Sequence, residues 1–186
     1  MLEKFLPRQH FDSYEDFKAN YRVNILDNFN FAYDVVDDWA ETRPEKTALV
    51  WCNDHGEERI FSFGQLKQLS NQAANFFKCY GIRKGDPVLL LLKRRWHYWV
   101  CMLGLHKLGA IAIPATIQLT KKDIVYRNNT ASVKMIVSID EPDIVCNIEA
   151  ALPVKAGSTS MRNSETLPLF GSDLRETNPP AAKTLC

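Results

Sequence analysis

At 186 residues and 21.3 kDa the chain has room for one domain with its own core and none for a second catalytic domain of ordinary size. A hydrophobic share of 46% with a charged share of 24% is the composition of a folded protein. Lys plus Arg (23) and Asp plus Glu (22) nearly cancel with no long single-sign block, which argues against a polyanion or membrane-surface binder.

Residues 1–23 read as an extension ahead of the domain. Their short apolar stretches are broken by Glu3, Lys4, Arg8, Asp12, Glu15 and Asp16, unlike a secretory signal. The first thirty positions hold four basic residues against five acidic ones, whereas a mitochondrial presequence is basic and poor in acids. The apolar run at 87–92 is far shorter than the ~20 residues that cross a bilayer. A soluble, cytoplasmic protein is the expectation.

From residue 30 to 43, Ala32, Val35, Val36, Trp39 and Ala40 recur at helical spacing, with Asp34, Asp37, Asp38 and Glu41 mostly off that stripe. Pro44 stops the helix. Residues 47–51 and 59–62 read as strands of a hairpin around Asn53, Asp54, His55 and Gly56. Ser62 and Gln65 have capping-box spacing, opening a helix whose stripe is Phe63, Leu66, Leu69, Ala73, Phe77 and Tyr80, with Gly81 as its left-handed end.

The unbroken aliphatic run Val88 to Leu92 suits a strand buried on both faces of a parallel sheet. Residues 95–108 carry Trp96, Trp99, Val100, Met102, Leu103 and Leu105 almost all round, which predicts a largely buried helix closed by Gly109. A short strand follows to Pro114. Thr120 as a cap, Asp123 in the first turn and a Leu119–Ile124 staple then start a helix running to about Ala131, and residues 134–139 give the next strand. Strand, helix, strand, helix, strand is an α/β crossover unit on a parallel sheet. From residue 155 on, Gly, Ser, Thr and Pro dilute the apolar residues without a period, and residues 155–186 are expected to be a disordered, low-complexity tail.

Cys52, Cys79, Cys101, Cys146 and Cys186 are scattered, odd in number and without a C-x-x-C spacing, so they read as reduced thiols, the first three as small buried hydrophobes. The run Lys93, Arg94, Arg95, Trp96, His97, Tyr98, Trp99 has the makings of a nucleotide platform, but one turn of a buried helix, aromatics inward and cations at the rim, explains it as well and is preferred. His97, Cys101 and His106 share a helical face but lack ligands from a second direction, so no metal site is assigned. The Ser/Thr/Gly cluster at 155–163 resembles a phosphate loop only superficially, having one glycine and no following lysine. Asp123 and Glu141 are isolated acids, and spacing assembles no catalytic set from them.

Four segments nevertheless carry a specific likeness: FAYDVVDDWAETRPEKTALVW (31–51), FSFGQLKQLSNQAANFF (61–77), GIRKGD (81–86) and HKLGAIAIPATIQLTKKDIVYR (106–127). In order and spacing they resemble AMP-forming acyl-CoA synthetases, nearest to the acetyl and medium-chain branch, over residues 24–150. The resemblance implies an incomplete N-terminal subdomain of the adenylate-forming fold at residues 24–154. The family's reaction couples ATP, a carboxylic acid and coenzyme A, with Mg²⁺, to give acyl-CoA, AMP and pyrophosphate. Its phosphate loop, its other nucleotide motifs and its C-terminal lysine all lie downstream of the matched region, so no catalytic residue is carried over. Neither ATP, Mg²⁺ nor coenzyme A is expected to bind tightly to this chain alone. Thr116, in a loop that in relatives approaches coenzyme A, is the single candidate contact, against the plainer reading that it ends the sheet edge. Two functions follow: a synthetase fragment inactive by itself, or a non-catalytic truncated paralogue that associates with a full-length synthetase or another partner.

Overall fold

The structure, a computed structural model, describes residues 2–151. Along the chain lie α1 (Leu2–Phe5), α2 (Tyr14–Asn20), a π-helical segment (Ala32–Asp37) and α3 (Asp38–Thr42). A hairpin of β1 (Thr47–Cys52) and β2 (Glu58–Ser62) follows, then α4 (Phe63–Cys79) and β3 (Pro87–Leu91). The remainder is α5 (Trp96–Leu108), β4 (Ile111–Pro114), α6 (Lys121–Ala131), β5 (Met135–Ser138) and α7 (Pro142–Ala151).

β3 is the centre of this arrangement. It pairs in parallel with β4 on one side and β5 on the other. Its side chains alternate between two cores: Val88 and Leu90 join Leu66, Phe77, Val100 and Leu105 of α4 and α5, while Leu89 and Leu91 join Leu119, Ile124 and Ala151. Burial on both faces is why this strand reads as a continuous aliphatic run rather than an alternating one. The chain leaves β3 for β4 and then returns past β3 to β5, and two crossovers of one hand running in opposite directions place their helices on opposite faces. The expected α/β class and parallel crossover unit are what the structure shows.

Local signals set the helix ends. At α4 the Ser62 hydroxyl accepts from the Gln65 N–H and the Gln65 side chain accepts from the Ser62 N–H. Thr120 and Asp123 make the same reciprocal pair at α6. α4, α5 and α6 finish alike: the N–H of Ile82, Ala110 and Val133 reaches back five residues to the carbonyl of Phe77, Leu105 and Asn128. The intervening Gly81, Gly109 and Ser132 are left-handed, as that reverse turn demands.

Where the structure departs from the sequence reading, the reasons are local. α2 buries no side chain, so it has no stripe, but the Ser13 hydroxyl accepting from the Asp16 N–H caps it. α7 starts on Pro142, which needs no N–H there, and turns Ile144 and Ala151 inward. Cys52 and Cys79 are exposed, not buried as expected; only the expectation for Cys101 holds. Cys52 lies on the open face of the two-stranded hairpin with Val50, and Cys79 is off the buried stripe of α4. The tail at 155–186, with its Ser/Thr/Gly cluster, lies outside the described residues.

Residues 30–43 hold the largest difference. The first turn is π-helical, wider than the 3.6-residue period, and it carries Asp37 into the interior, 7% exposed, where the stripe placed it outside. There its Oδ1 accepts from Lys107 Nζ at 2.8 Å, and Lys107 also donates to Asn71 Oδ1 at 2.7 Å. One ammonium thus ties the π-helical segment to α4 and α5. Replacing Lys107 by Met leaves Asp37 buried without its counter-ion and is expected to cost about 3–5 kcal/mol, with the double variant Lys107→Met/Asp37→Leu recovering most of it; urea unfolding of the three proteins measures both.

α4 and α5 approach most closely at Gly104. A Cβ there would stand 2.7 Å from the Ala73 Cβ and 3.0 Å from the Ala74 nitrogen, a separation only helix displacement relieves. Gly104→Ala, which raises helix propensity, is therefore expected to lower stability by about 1–3 kcal/mol in the same unfolding assay.

Candidate functional site

Parallel strands present their carboxyl ends on one edge, and three loops gather there: residues 92–95 after β3, 115–120 after β4 and 139–141 after β5. Open α/β sheets bind ligands outside this edge, where neighbouring strands send the chain to opposite faces. Here β3 leads into α5, while β5 leads into α7, whose Ala151 packs with Ile124 on the other face. Lys93 and Glu141 form an ion pair between these two strand ends. Lys93 sits at φ 52°, a left-handed conformation that disfavours any residue with a Cβ.

Thr116 is exposed in the loop after β4. The Ala115 N–H still extends the ladder to the Leu90 carbonyl at 2.9 Å, and Leu119 is buried, so the loop is anchored at both ends. The Thr116 hydroxyl accepts from the Gln118 N–H at 3.3 Å and shapes the loop from within. Asp123 and Glu141 are both engaged. Hydrogen bonds from the Thr120 hydroxyl and N–H hold the Asp123 carboxyl below the usual carboxylate range, and Glu141 is paired with Lys93.

The His97, Cys101 and His106 face is a structural one. Burial pushes the Cys101 thiol up to about 12, so it is no thiolate ligand at neutral pH. Burial also lowers His106, whose Nδ1 is enclosed without a hydrogen-bond partner among the described residues. Among those residues no three His, Cys, Asp or Glu side chains gather as metal ligands.

The basic and aromatic run at 93–99 divides in two. Trp96 is buried, stacked on His97 at 3.7 Å and packed on Phe61 at 5.0 Å. Trp99, expected inside, is 53% exposed. With Arg94, Arg95 and Tyr98 it lines a cleft of about 420 Å³ whose other wall is Trp51 and Cys52 of the hairpin. The Trp51 indole N–H donates to the Arg94 carbonyl at 2.6 Å, fixing the two walls together. Sequence spacing gave no hint of this wall, because it comes from a strand some forty residues upstream.

The AMP-binding enzyme family model matches residues 36–184. The chain belongs to the AMP-binding enzyme family. The match runs beyond the residue-by-residue likeness read above, which ends near Ala150. Human acyl-coenzyme A synthetase ACSM3, mitochondrial, is 36% identical over 138 residues, covering 71% of this chain and 24% of that protein. Human acyl-coenzyme A synthetase ACSM4, mitochondrial, is 40% identical over 134 residues, covering 68% and 23%. This family member thus spans about a quarter of the length of the curated relatives it matches. Among solved structures, a benzoate CoA ligase from Burkholderia xenovorans LB400 is similar with a TM-score of 0.56 and 25% identity, covering 66% of this chain and 24% of that one. An acyl-CoA synthetase from Brucella canis shares the fold with a TM-score of 0.60 at 24% identity, covering 66% and 22%. No described helix of this family member is long and apolar enough to cross a membrane.

Beside the buried Trp96, burial first and then the charges of Arg95 and Arg59 lower His97 to about 4. The unfolded chain, near 6.5, binds the proton more readily, so this contribution to stability is complete above pH 6.5 and is lost as pH falls from there toward 4. The urea midpoint of the wild type is expected to fall over that interval, and His97→Gln to show a shallower fall; equal slopes would mean His97 does not drive it.

Proposed function

We propose that this chain is an N-terminal segment of an AMP-forming acyl-CoA synthetase, and that the 186 residues alone do not catalyse the family reaction. That reaction joins a carboxylic acid to coenzyme A at the expense of ATP, with Mg²⁺ on the phosphates, releasing AMP and pyrophosphate. Support comes from the match to synthetases over about a quarter of their length. The acids Asp123, Glu141 and Asp37 lie apart, and each is held by a neighbour in a capping pair or an ion pair. The described residues bring no glycine-rich loop with a following lysine to the carboxyl edge of the sheet.

Within this reading the loop at 115–120, with Thr116 exposed beside the carboxyl ends of β3 and β4, faces coenzyme A in the complete enzyme. A cytoplasmic location belongs to the same proposal and is set against the mitochondrial relatives. A second reading, a non-catalytic paralogue that associates with a full-length synthetase, is favoured by the outer edges of β4 and β5, each paired on one side only among the described residues, and by the exposed Ile111.

ATP–pyrophosphate exchange by the purified chain, with acetate, butyrate, octanoate and benzoate as acids, is the deciding assay. Background exchange with every acid is expected, and turnover with any of them overturns the proposal. Co-elution with a full-length ACSM-type synthetase on size exclusion separates the second reading from the first.

A further inference from the structure

The geometry points to the cleft between β1 and the start of α5 as a binding site for a phosphorylated nucleoside, with Arg94 and Arg95 on the phosphate and Trp99 under the base. The inference is independent of the synthetase reading, and Thr116 is not among the residues that line the cleft.

Three observations carry it. First, the cleft holds an uncompensated charge. Of its three cations Lys93 is neutralised by Glu141, while Arg94 and Arg95 are exposed and no carboxylate among the described residues pairs with either. Two guanidinium groups lining one cleft suit a phosphate dianion, because each planar fork can donate two parallel N–H bonds to its oxygens. Arg59, cross-strand from Trp51 and over the Trp96 ring at 5.5 Å, adds positive potential at the same end, against Glu58, which lies opposite Cys52.

Second, the cleft has an aromatic wall that the core does not use. Trp96 satisfies the interior, whereas Trp99 leaves half its surface in water and stands edge-on to Tyr98, centroids 5.1 Å apart at 84°. An exposed indole held at a fixed angle next to arginines is the arrangement on which a base stacks, at about 1–3 kcal/mol per base. Third, the walls are joined. The Trp51 indole N–H donates to the Arg94 carbonyl at 2.6 Å, and the volume between them is about 420 Å³, in the range of small-molecule pockets.

Titration of the 186-residue chain with AMP and GMP, followed by calorimetry and tryptophan fluorescence, tests the assignment against inorganic phosphate, adenosine and an acidic peptide. Both nucleotides are expected to bind with a Kd of about 1 mM or tighter, and phosphate and adenosine each about tenfold more weakly, because each supplies half of the contacts. Arg94→Gln/Arg95→Gln is expected to abolish measurable binding and Trp99→Ala to weaken it about tenfold, both with unchanged circular dichroism. Lys134→Gln, a charge removed beyond the opposite end of the sheet, is expected to bind as the wild type does. The inference is overturned by any of three results: no nucleotide binding, phosphate binding as tightly as AMP, or preferential binding of the acidic peptide. ATP–pyrophosphate exchange bears on none of these outcomes, so the fate of the synthetase proposal is read separately.

Discussion

A single buried ammonium fixes how the helical layer is assembled. Lys107, with its side chain 1% exposed, meets Asp37 and the ring of Tyr33 from the π-helical segment and Asn71 from α4. A charge taken out of water needs a counter-charge and hydrogen-bond acceptors in good geometry, and each of these partners has one place to stand. An apolar group of the same size would fill the space as well. It would not require the chain before α3 to widen into a π-turn so that an acid points inward. The same segment is sewn down by Asn30, which donates to the His106 carbonyl at 2.7 Å, and Asp34, which accepts from the Asn30 N–H. The end of α5 is thereby clamped, and with it the helix whose beginning carries the basic cleft.

The parallel sheet supplies the second constraint. With β3 paired on both sides and covered on both faces, its position is overdetermined, and the loops at its carboxyl end inherit that fixity. Ala115 bonds to Leu90, so Thr116 enters its loop at a defined point; Lys93 takes a left-handed backbone and meets Glu141 across the strand ends. The edge at which open α/β sheets bind ligands is thus shaped by main-chain hydrogen bonds more than by any polar side chain within it.

How far the residues foretell this depends on the range of the interaction. Capping pairs at Ser62 and Thr120, the reverse turns at Gly81 and Gly109 and the doubly buried run of β3 are local, and they are legible because each is decided within about five residues. Asp37 is not: a 3.6-residue period places it outward, and nothing within a few residues announces a counter-ion seventy positions away. Lys107 was the available signal, a lone cation in a helix otherwise apolar around its circumference. Trp99 escaped for the opposite reason, since an aromatic residue in such a helix reads as core, and only the position of the hairpin decides which of Trp96 and Trp99 is covered. The cleft is a meeting of residues 50–52 with 93–99, and spacing along the chain carries no information about such a meeting.

Two hydrophobic clusters, one on each side of β3, let the chain hold its shape. The cores on either side of β3 are complete enough to bury Val88, Leu89, Leu90 and Leu91 to 1% exposure or less, and full burial of side chains of this size is worth about 1.5–3 kcal/mol each. Chemistry asks for something different: charged groups left unsatisfied by the protein so that a ligand can satisfy them. Asp37, Asp123 and Glu141 are all satisfied internally, and they serve the fold. Arg94 and Arg95 line a cleft and are answered by no acid among the described residues, so their donors are left to solvent or to whatever enters.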